Sequence, residues 1–500
     1  MKGKVYLVGA GPGDDSLITL KGLKCIKKAD VIIYDRLINN NLLKESKKNC
    51  KFIYVGKKSK KHIKTQDEIN EIIYREALEG KIVVRLKGGD PYVFGRGGEE
   101  GEYLAKRNIP FEIVPGVTSA IGGLAYAGIP ITHRNYASSF HVITGHLKDE
   151  NDKLNWEVLA SLDGTIVFLM GISNLENISK NLIENGKDKN TPVAIVSWAT
   201  MPYQKVVEGN LSNIYEKAMK YNIVPPSIIV IGNVVKLRKN LNFFERKILF
   251  GETIIVTRAR EQKKEFVDKL REFGATTYEF PTIKIDEITP NIELENAIEN
   301  IEQYTYLLLT SVNGVNIFFK KLFSLGYDSR KLGGLKIGVI GSKTAKAMER
   351  YGIKPDFIPK EYVSEFLTKY LKNVLTTKDK VLLPRAKNSR SYLVEELSKI
   401  CDVDEIKIYN TVKGTDKAEE LVDFLKDKKE FYLTFTSPST FNNFVEILGD
   451  NSQNILKRGK ILSIGPVTSK VIREGGHEVY GEARKHTIEG IIDLLIKERR

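Results

Sequence analysis

A glycine-rich stretch, Gly88 to Glu100, carries the residue types that hold ligands in many enzymes. It reads GGDPYVFGRGGEE, so five glycines in thirteen residues stand beside charges of both signs. Glycine has no Cβ, which lets the backbone approach a ligand closely. The stretch follows an apolar run at 82–86, typical of a buried strand, and precedes an apolar helical pattern from Tyr103. This arrangement predicts a ligand loop at a strand end of an α/β sheet, with a plain connector as the alternative.

A second glycine cluster, GAGPG at 9–13, indicates the charge of the ligand. It differs from the dinucleotide fingerprint GxGxxG, because Pro12 interrupts it. Asp14 and Asp15 follow at the place where a pyrophosphate would have to bind, and carboxylates repel such an anion. We therefore expect a cationic or neutral ligand.

Strands must position these turns, and the chain from residue 4 repeats a short apolar strand, a glycine turn and an amphipathic helix. This alternation predicts a parallel sheet with crossover helices. Further strand patterns at 140–144, 165–170, 193–197 and 227–231 predict a second α/β subdomain. A fresh strand pattern begins at Thr253, and 500 residues are too many for one core. We expect two domains, 1–245 and 246–500.

The second half repeats its own motifs. Blocks around Arg258, Thr310 and Thr344 recur in the same order at offsets of 124 to 127 residues. The nearly constant offset predicts a duplicated α/β lobe, and two similar lobes would face each other across a ligand cleft. Chance similarity among generic strand–helix units is the alternative.

Several of the repeated strands end in turns that carry serine or threonine, at 310–314, 341–344, 436–440 and 465–468. Hydroxyls and backbone N–H groups at helix N-termini bind anions. Four such turns around a cleft would suit a ligand with many carboxylates. Taken singly, each is better explained as a helix N-cap.

The composition excludes several classes of protein. Three widely spaced cysteines argue against a disulfide framework or a metal site, and for a reducing compartment. No apolar run is long enough to span a bilayer, and the N-terminus enters a strand pattern at once. The net charge of +15 is spread over scattered lysines, so we expect no nucleic-acid or membrane partner and a cytoplasmic location.

Eight motifs of the first half carry a family resemblance. They are VYLVGAGPGD at 5–14, YDRL at 34–37, VGK at 55–57, the stretch 88–100, VPGVTS at 114–119, GIPITHR at 128–134, VITGH at 142–146 and FLMG at 168–171. In these motifs, residues 1 to about 240 resemble uroporphyrinogen-III C-methyltransferase. The resemblance implies an S-adenosylmethionine (SAM) enzyme of the tetrapyrrole methylase fold, with two α/β subdomains and the cofactor between them.

The resemblance also implies which residues contact the cofactor, whose sulfonium cation suits the exposed carbonyls of glycine turns. Ala199 stands where the family has glycine, and Gln204-Lys205 stands where it has Gln-Arg, so that segment departs from the pattern. The matching positions are Pro12, Gly88, Gly89, Asp90, Val93, Thr118, Ser119, Met170 and Ala199.

Methyl transfer to a pyrrole carbon needs alignment and the loss of a proton elsewhere on the macrocycle. By the resemblance, Asp35 is the proton acceptor and Lys57 a proton donor. The alternatives are a helix N-cap for Asp35 and a solvated surface lysine for Lys57. His133 and Arg134 would meet substrate carboxylates, with a structural role equally open for His133.

The second half, 251–500, resembles uroporphyrinogen-III synthase in its hydroxyl turns and in VTRAR at 256–260 and LPR at 383–385. The resemblance implies two α/β lobes joined by strands near 281–285 and 406–411, which makes lobe one discontinuous. The family closes hydroxymethylbilane into a macrocycle with ring D inverted, loses water and uses no cofactor. Tyr409 matches the tyrosine in the cleft, with a packing role as the alternative. The hydroxyls matched to substrate contacts are Ser311, Thr344, Ser437 and Thr468.

Together, the resemblances imply a bifunctional enzyme that converts hydroxymethylbilane through uroporphyrinogen III to precorrin-2, towards sirohaem or cobalamin. The methyltransferase family usually forms homodimers. Two other functions stay open: an RNA 2′-O-methyltransferase, and a methyltransferase whose C-terminal half only binds tetrapyrrole. RNA binding with a steep salt dependence would favour the first. Failure of residues 247–500 to accelerate macrocycle formation would favour the second.

Overall fold

The computed structural model describes residues 2–56, 64–145, 154–258, 264–359, 364–389, 391–415 and 417–499. The chain forms two compact units. The first comprises Met1–Glu252 with Leu270–Thr276 and Arg499, and the second comprises Thr253–Lys269 with Thr277–Glu498. The strands form four five-stranded sheets, with helices between them in the chain, so the predicted α/β class is confirmed.

The first sheet is parallel throughout, as the alternating pattern predicts. Its strands are β1 (Lys4–Gly9), β2 (Val31–Tyr34), β3 (Lys51–Tyr54), β4 (Ile82–Lys87) and β5 (Phe111–Val114). They are ordered β3-β2-β4-β1-β5. The helices of this part are α1 (Leu20–Lys28), α2 (Gln66–Leu78), α3 (Gly97–Ala105) and α4 (Ser119–Tyr126). Apolar side chains of the central strands pack on both faces of the sheet, which is usual for parallel sheets.

The glycine-rich stretch divides between a loop and a helix. β4 ends at Lys87 and α3 begins at Gly97, well before the helical pattern expected from Tyr103. The first turn of α3 contains Glu99 and Glu100, whose charges are favourable at the positive end of the helix dipole. The segment that remains for a ligand is 88–96, here called the glycine loop.

The predicted second α/β subdomain is present, and its sheet is mixed where the first is parallel. Its strands are β6 (Phe140–Thr144), β7 (Thr165–Leu169), β8 (Pro192–Ser197), β9 (Lys205–Asn210) and β10 (Ser227–Ile231), ordered β6-β7-β10-β8-β9. Only β6 and β7 pair in parallel. The short 198–204 connection returns the chain antiparallel, which a crossover helix would not do. The helices are α5 (Trp156–Ser161), α6 (Leu175–Glu184), α7 (Ile214–Lys220) and α8 (Arg238–Leu241).

In the part of the second half that the structure describes, ten strands form two sheets. The strands are β11 (Thr253–Val256), β12 (Thr276–Glu279), β13 (Ile283–Glu287), β14 (Tyr306–Leu309), β15 (Lys336–Val339), β16 (Lys380–Ala386), β17 (Asp402–Lys413), β18 (Tyr432–Phe435), β19 (Lys460–Ser463) and β20 (Gly481–Glu482). The helices are α9 (Lys264–Glu272), α10 (Ile292–Glu299), α11 (Val312–Ser324), α12 (Ser342–Glu349), α13 (Ser364–Leu371), α14 (Tyr392–Leu397), α15 (Ala418–Leu425), α16 (Pro438–Leu448), α17 (Asn451–Arg458), α18 (Pro466–Glu474) and α19 (Ile488–Lys497).

Neither sheet of the second half corresponds to one sequence repeat. The orders are β12-β11-β18-β19-β20 and β13-β17-β16-β14-β15. The offsets pair β11 with β16, β14 with β18 and β15 with β19, so each sheet joins the first strand of one repeat to later strands of the other. The repeats of the sequence therefore do not each build one sheet, and the sheet that contains β11 is assembled from separate stretches of the chain. The chain crosses between the sheets at β13 and β17, which pair antiparallel.

Among the residues that the structure describes, no helix is both long and apolar enough to cross a membrane.

Candidate active sites

Three turns of the first unit meet backbone to backbone at the ends of β4, β1 and β5. Gly89 N–H donates to the Gly11 carbonyl at 2.7 Å, and Gly11 N–H donates to the Gly89 carbonyl at 3.2 Å. A Cβ on Gly116 would lie 2.3 Å from the Gly89 carbonyl oxygen. Only glycine fits so close an approach. The turns that follow these three neighbouring strands therefore form one glycine-lined cradle.

Asp90 ties two of these turns together. Its Oδ1 accepts the Tyr92 N–H at 2.7 Å, and its Oδ2 accepts the Gly116 N–H at 2.9 Å. Asp14 is used in a similar way, because its oxygens accept from Ser16 N–H at 2.9 Å and from the Tyr126 hydroxyl at 2.8 Å. Both carboxylates thus hold the loops in shape, which weakens the argument that Asp14 selects a cation by its charge.

The second sheet brings Met170 and Ala199 to the same cradle. Asp14 N–H donates to Thr200 Oγ1 at 2.9 Å, and a Cβ on Gly13 would lie 3.0 Å from the Ala199 carbonyl oxygen. Val93 of the glycine loop packs on the apolar cluster that contains Ala199 and Leu169, the residue before Met170. Segments from both sheets that carry the predicted cofactor contacts are therefore neighbours.

Strained backbone marks the same segments. Five residues other than glycine hold a positive φ there: Phe94 at 52°, Arg96 at 59°, Met170 at 57°, Trp198 at 49° and Thr200 at 68°. Each such residue costs on the order of 1–3 kcal/mol and persists only where the surroundings enforce it, most often at ligand sites. Thr118 stands at the N-cap of α4 with no capping hydrogen bond from its side chain. These features are typical of a preformed ligand cradle.

Asp35 lies beside this cradle, directly after β2. A Cβ on Gly88 would meet Leu37 Cβ at 2.9 Å, and Asn39 Nδ2 donates to the Gly13 carbonyl at 2.9 Å, so the turn of Asp35 packs on both glycine turns. Asp35 Oδ1 accepts the Leu37 N–H at 3.1 Å, and 27% of its side chain is exposed. This is a turn and not the helix N-cap of the alternative. Lys57 lies outside the described residues.

A buried cluster of charges beneath Asp35 was missed in the sequence. Glu100 Oε1 accepts from Lys87 Nζ at 2.8 Å, from Arg85 Nε at 3.1 Å and from Gln66 Nε2 at 3.3 Å. Arg85 Nη2 lies 3.3 Å from Asp35 Oδ2. Burial lowers the pKa of the Lys87 ammonium, and the nearby Arg85 charge acts in the same direction. The available signal was two cations at alternate positions of an otherwise apolar strand.

His133 and Arg134 belong to a tight turn. His133 N–H donates to the Ala137 carbonyl at 2.9 Å, and His133 Nδ1 accepts the Asn135 N–H at 3.2 Å. The imidazole packs on Tyr136 with ring centroids 5.1 Å apart. These contacts are local and agree with the structural alternative for His133, while Arg134 is exposed.

In the second unit, the predicted hydroxyls follow neighbouring parallel strands. Ser311 and Thr344 come after β14 and β15, and Ser437 and Thr468 come after β18 and β19. Ser311 Oγ and Ser437 Oγ cap their helices by accepting Gly314 N–H at 3.0 Å and Thr440 N–H at 3.2 Å. Thr344 and Thr468 are only 6% and 3% exposed. The two serines are therefore more accessible to a ligand than the two threonines.

Tyr409 meets one of these hydroxyls. Its phenolic oxygen lies 3.0 Å from Ser311 Oγ, and the residue is 6% exposed in β17. Arg385 of β16 is also buried, and this burial lowers its pKa, whereas the charges of Glu405 and Tyr409 act in the opposite direction. The structure thus groups a phenol, a hydroxyl and a guanidinium. Among the described residues, no group of His, Cys, Asp and Glu is arranged to hold a metal ion.

The fold and these sites define an α/β enzyme with two different catalytic units. Residues 4–215 match the family model of tetrapyrrole (corrin/porphyrin) methylases, and residues 264–493 match that of uroporphyrinogen-III synthase HemD. The chain belongs to both families, as a fusion of a uroporphyrinogen-III C-methyltransferase domain and a uroporphyrinogen-III synthase domain.

Similar proteins cover the whole chain or its first half. A porphyrin biosynthesis protein HemD of Ruminiclostridium josui is 41% identical over 99% of this chain and 98% of its own length. A uroporphyrinogen-III C-methyltransferase of Methanocaldococcus jannaschii is 55% identical over 47% of this chain and 98% of its own length. A solved uroporphyrin-III C-methyl transferase of Thermus thermophilus, complexed with S-adenyl homocysteine, is 38% identical, with a TM-score of 0.41 over 47% of this chain and 94% of its own.

Proposed function

We propose that the chain catalyses two consecutive steps of tetrapyrrole biosynthesis. The second unit converts hydroxymethylbilane to uroporphyrinogen III with inversion of ring D and loss of water. The first unit transfers two methyl groups from SAM to uroporphyrinogen III, which gives precorrin-2 towards sirohaem or cobalamin. The observation that carries the proposal is the glycine-lined cradle beside Asp35, in a chain whose other half belongs to the synthase family.

The cradle fits SAM in its shape and its chemistry. Bound SAM supplies an electrophilic methyl group on a sulfonium. Carbonyl groups of the glycine turns offer negative dipoles to that cation, and the missing Cβ atoms leave room for it. The residues that would hold SAM are Pro12, Gly88, Gly89, Asp90, Val93, Thr118, Ser119, Met170 and Ala199.

Asp35 then takes the proton that the macrocycle must lose after it gains a methyl group. The Leu37 N–H and Arg85 hold its two oxygens, and the exposed part of the carboxylate faces away from the core. Lys57 is proposed as the proton donor on the strength of the family match alone. Arg134 is the more accessible candidate to meet a substrate carboxylate, with His133 shaping its turn.

In the second unit, Tyr409 donates its phenolic proton to the hydroxyl that leaves hydroxymethylbilane. The carbon–oxygen bond breaks, water departs, and the freed carbon bonds to the substituted α-carbon of ring D. The bond from that α-carbon to its bridging carbon then breaks, and the bridging carbon bonds to the unsubstituted α-carbon of ring D, which closes the macrocycle with the ring inverted. A proton lost from the closing pyrrole returns the phenolate to phenol. Ser311 orients the phenol, and Ser437, with Thr344 and Thr468 at the same strand ends, lines the substrate side.

We also propose that residues 1–245 carry the methyltransferase activity and residues 246–500 the synthase activity. The first half alone matches 98% of the length of the Methanocaldococcus jannaschii methyltransferase, which supports this division. The expected assembly is a homodimer through the first half, which light scattering on the purified chain would test, and the expected location is the cytoplasm, which cell fractionation would test.

The decisive experiment incubates the whole chain with hydroxymethylbilane, with and without SAM. Uroporphyrinogen III should form without SAM, and precorrin-2 should form with it, together with two equivalents of S-adenosylhomocysteine. Asp35→Asn should strongly reduce, but not abolish, methyl transfer only, and Tyr409→Phe should slow macrocycle formation only. Formation of only the type I macrocycle would contradict the synthase role, and absence of S-adenosylhomocysteine would contradict the methyltransferase role.

A further inference from the structure

Arg85, Lys87 and Glu100 form a charge cluster in the core of the first sheet, and stability does not explain it. Their side chains are 5%, 6% and 0% exposed. Charged side chains are almost never so buried unless they are paired. Replacing a buried ion pair by apolar residues is often neutral or stabilising, because desolvation outweighs the attraction. Valine or leucine at positions 85 and 87 of β4 would therefore stabilise the core at least as well as these charged residues.

The geometry of the Arg85 guanidinium is fixed on three sides. Nε donates to Glu100 Oε1 at 3.1 Å, and Nη1 donates to the carbonyls of Leu86 at 3.1 Å and Ile33 at 3.4 Å. A guanidinium is planar, so these bonds also set the direction of its remaining nitrogen. That nitrogen, Nη2, points to Asp35 Oδ2 at 3.3 Å.

Asp35 is consequently held at both oxygens. The Leu37 N–H fixes Oδ1, and Arg85 fixes Oδ2, while about a quarter of the side chain stays open to solvent at 27% exposure. Without Arg85, the Asp35 carboxylate would be held at Oδ1 only and could rotate out of this orientation. Glu100 in turn is anchored by Lys87 and Gln66, so it can hold Arg85 without moving.

We propose that Arg85, oriented by Glu100, is a positioning residue that aims the Asp35 carboxylate at the proton of the methylated macrocycle. The inference rests on the proposed function of Asp35 as proton acceptor. It explains why charges occupy core positions of β4, since only a rigid buried donor can fix a carboxylate that must itself remain accessible.

A double-mutant cycle in the full chain tests this coupling. The variants are Arg85→Lys, Asp35→Asn and their combination, and the measurements are kcat and KM of methyl transfer and the Kd of SAM. Arg85→Lys keeps the positive charge but loses the planar set of N–H donors that the guanidinium provides, so kcat should fall on the order of 10- to 100-fold. KM and the Kd of SAM should stay within about twofold, because the cradle is untouched.

In the Asp35→Asn background, Arg85→Lys should cost less than about a further twofold, since there is no carboxylate left to aim. A full additional loss in that background, or an unchanged kcat for Arg85→Lys alone, overturns the inference while the role of Asp35 stands. If Asp35→Asn itself leaves kcat unchanged, the proposed function of Asp35 fails, and the inference fails with it.

Two further variants guard against loss of folding. Glu100→Gln preserves the shape and an acceptor oxygen, so it should lower kcat less than Arg85→Lys and still show no additivity with Asp35→Asn. Arg75→Lys is the matched control, because the Arg75 side chain is exposed on α2 and pairs with Glu71. It should leave every parameter unchanged. Synthase turnover of the same chain reports the amount of protein, and an unchanged Kd of SAM reports that the first unit is folded.

Discussion

The proposed ligand site of the first unit is lined by backbone, whereas that of the second unit is lined by side-chain hydroxyls at helix N-termini. Of the residues that the structure describes, all seven with positive φ that are not glycine lie in the first unit. The second unit instead places Ser311 and Ser437 after parallel strands as ordinary caps. A small cofactor that must be gripped closely favours rigid, strained backbone. A large substrate with many carboxylates is served by hydroxyls and N–H groups spread over two sheets.

The largest effect is expected from a methyl group placed inside the cradle. Gly116→Ala would put a Cβ 2.3 Å from the Gly89 carbonyl oxygen, which the two touching backbones cannot avoid. We expect a loss of about 3 kcal/mol or more of stability in the first unit, and loss of SAM binding and methyl transfer. Calorimetry and the methyl-transfer assay check this, with synthase turnover unchanged in the same chain.

Gly98→Ala is the matched control for that substitution. A Cβ on Gly98 meets nothing within 4 Å, and the residue lies in the first turn of α3. Alanine should therefore be neutral or stabilise the helix by up to about 1 kcal/mol. A Gly116→Ala chain that binds SAM as well as Gly98→Ala would break the comparison, because the site would then not depend on backbone contact.

The next largest effect concerns the hydroxyl chemistry of the second unit. Tyr409→Phe removes the proposed acid and its 3.0 Å contact with Ser311, so kcat of macrocycle formation should fall on the order of 100-fold or more. Ser311→Ala should give a smaller loss, since it leaves the phenol in place. Tyr306→Phe, at another buried tyrosine of the same unit, should have no effect. Equal rates for Tyr409→Phe and Tyr306→Phe would make Tyr409 a packing residue.

A smaller effect would separate strain from binding in the first unit. Met170 holds φ at 57° and the residue is 51% exposed, so Met170→Gly removes strain and loses little buried surface. Stability should be unchanged or rise by up to about 1 kcal/mol, while the Kd of SAM rises several-fold. Denaturation curves and calorimetry measure the two changes.

Asn222→Gly provides the comparison for Met170→Gly. Asn222 also has a positive φ, at 49°, but it follows α7 and is remote in sequence from every predicted cofactor segment. Its substitution should change the stability in the same direction and leave SAM binding unaltered. If both variants, or neither, weaken SAM binding, strain at Met170 is not connected with the ligand.

The sequence predicted the α/β class and most strands because apolar runs and glycine turns are local signals. It predicted Gly88, Asp90 and Asp35 as site residues through long motifs, and the structure places them together. It did not predict that the carboxylates of Asp90 and Asp14 accept hydrogen bonds that hold the loops, because a sequence does not show which donors lie nearby. The mixed second sheet was also missed, since strand direction depends on connections and not on composition.

The swapped strands of the second half show the same limit on a larger scale. A constant offset reports ancestry along the chain, whereas the sheets are assembled in space, so β11 joins β18 and not β14. The charges of Arg85 and Lys87 were visible in the strand pattern. The apolar majority of the run at 82–86 indicates a buried strand but not how its charges are paired, although a buried charge is the more informative residue.

The smallest expected effect is one in which the two units should not differ. Glu112 of the first unit pairs with Lys21 and Lys4, and Glu396 of the second pairs with Lys372 and Lys399; these hydrogen bonds lower the pKa of each carboxyl from 4.5 to about 2. A carboxyl with a lowered folded-state pKa stabilises the fold above about pH 4.5, and this stabilisation is lost as the pH falls towards 2.

Glu112→Gln and Glu396→Gln should therefore each lower Tm slightly at pH 7, and the difference from the unsubstituted chain should vanish near pH 2. The effect is small because both pairs are at the surface and are screened by salt. Thermal denaturation at several pH values, repeated in high salt, measures it in both units. A difference that persists at pH 2 would show that the glutamine disturbs packing. If one substitution lowers Tm much more than the other, the two units also differ in how strongly their surface ion pairs stabilise them.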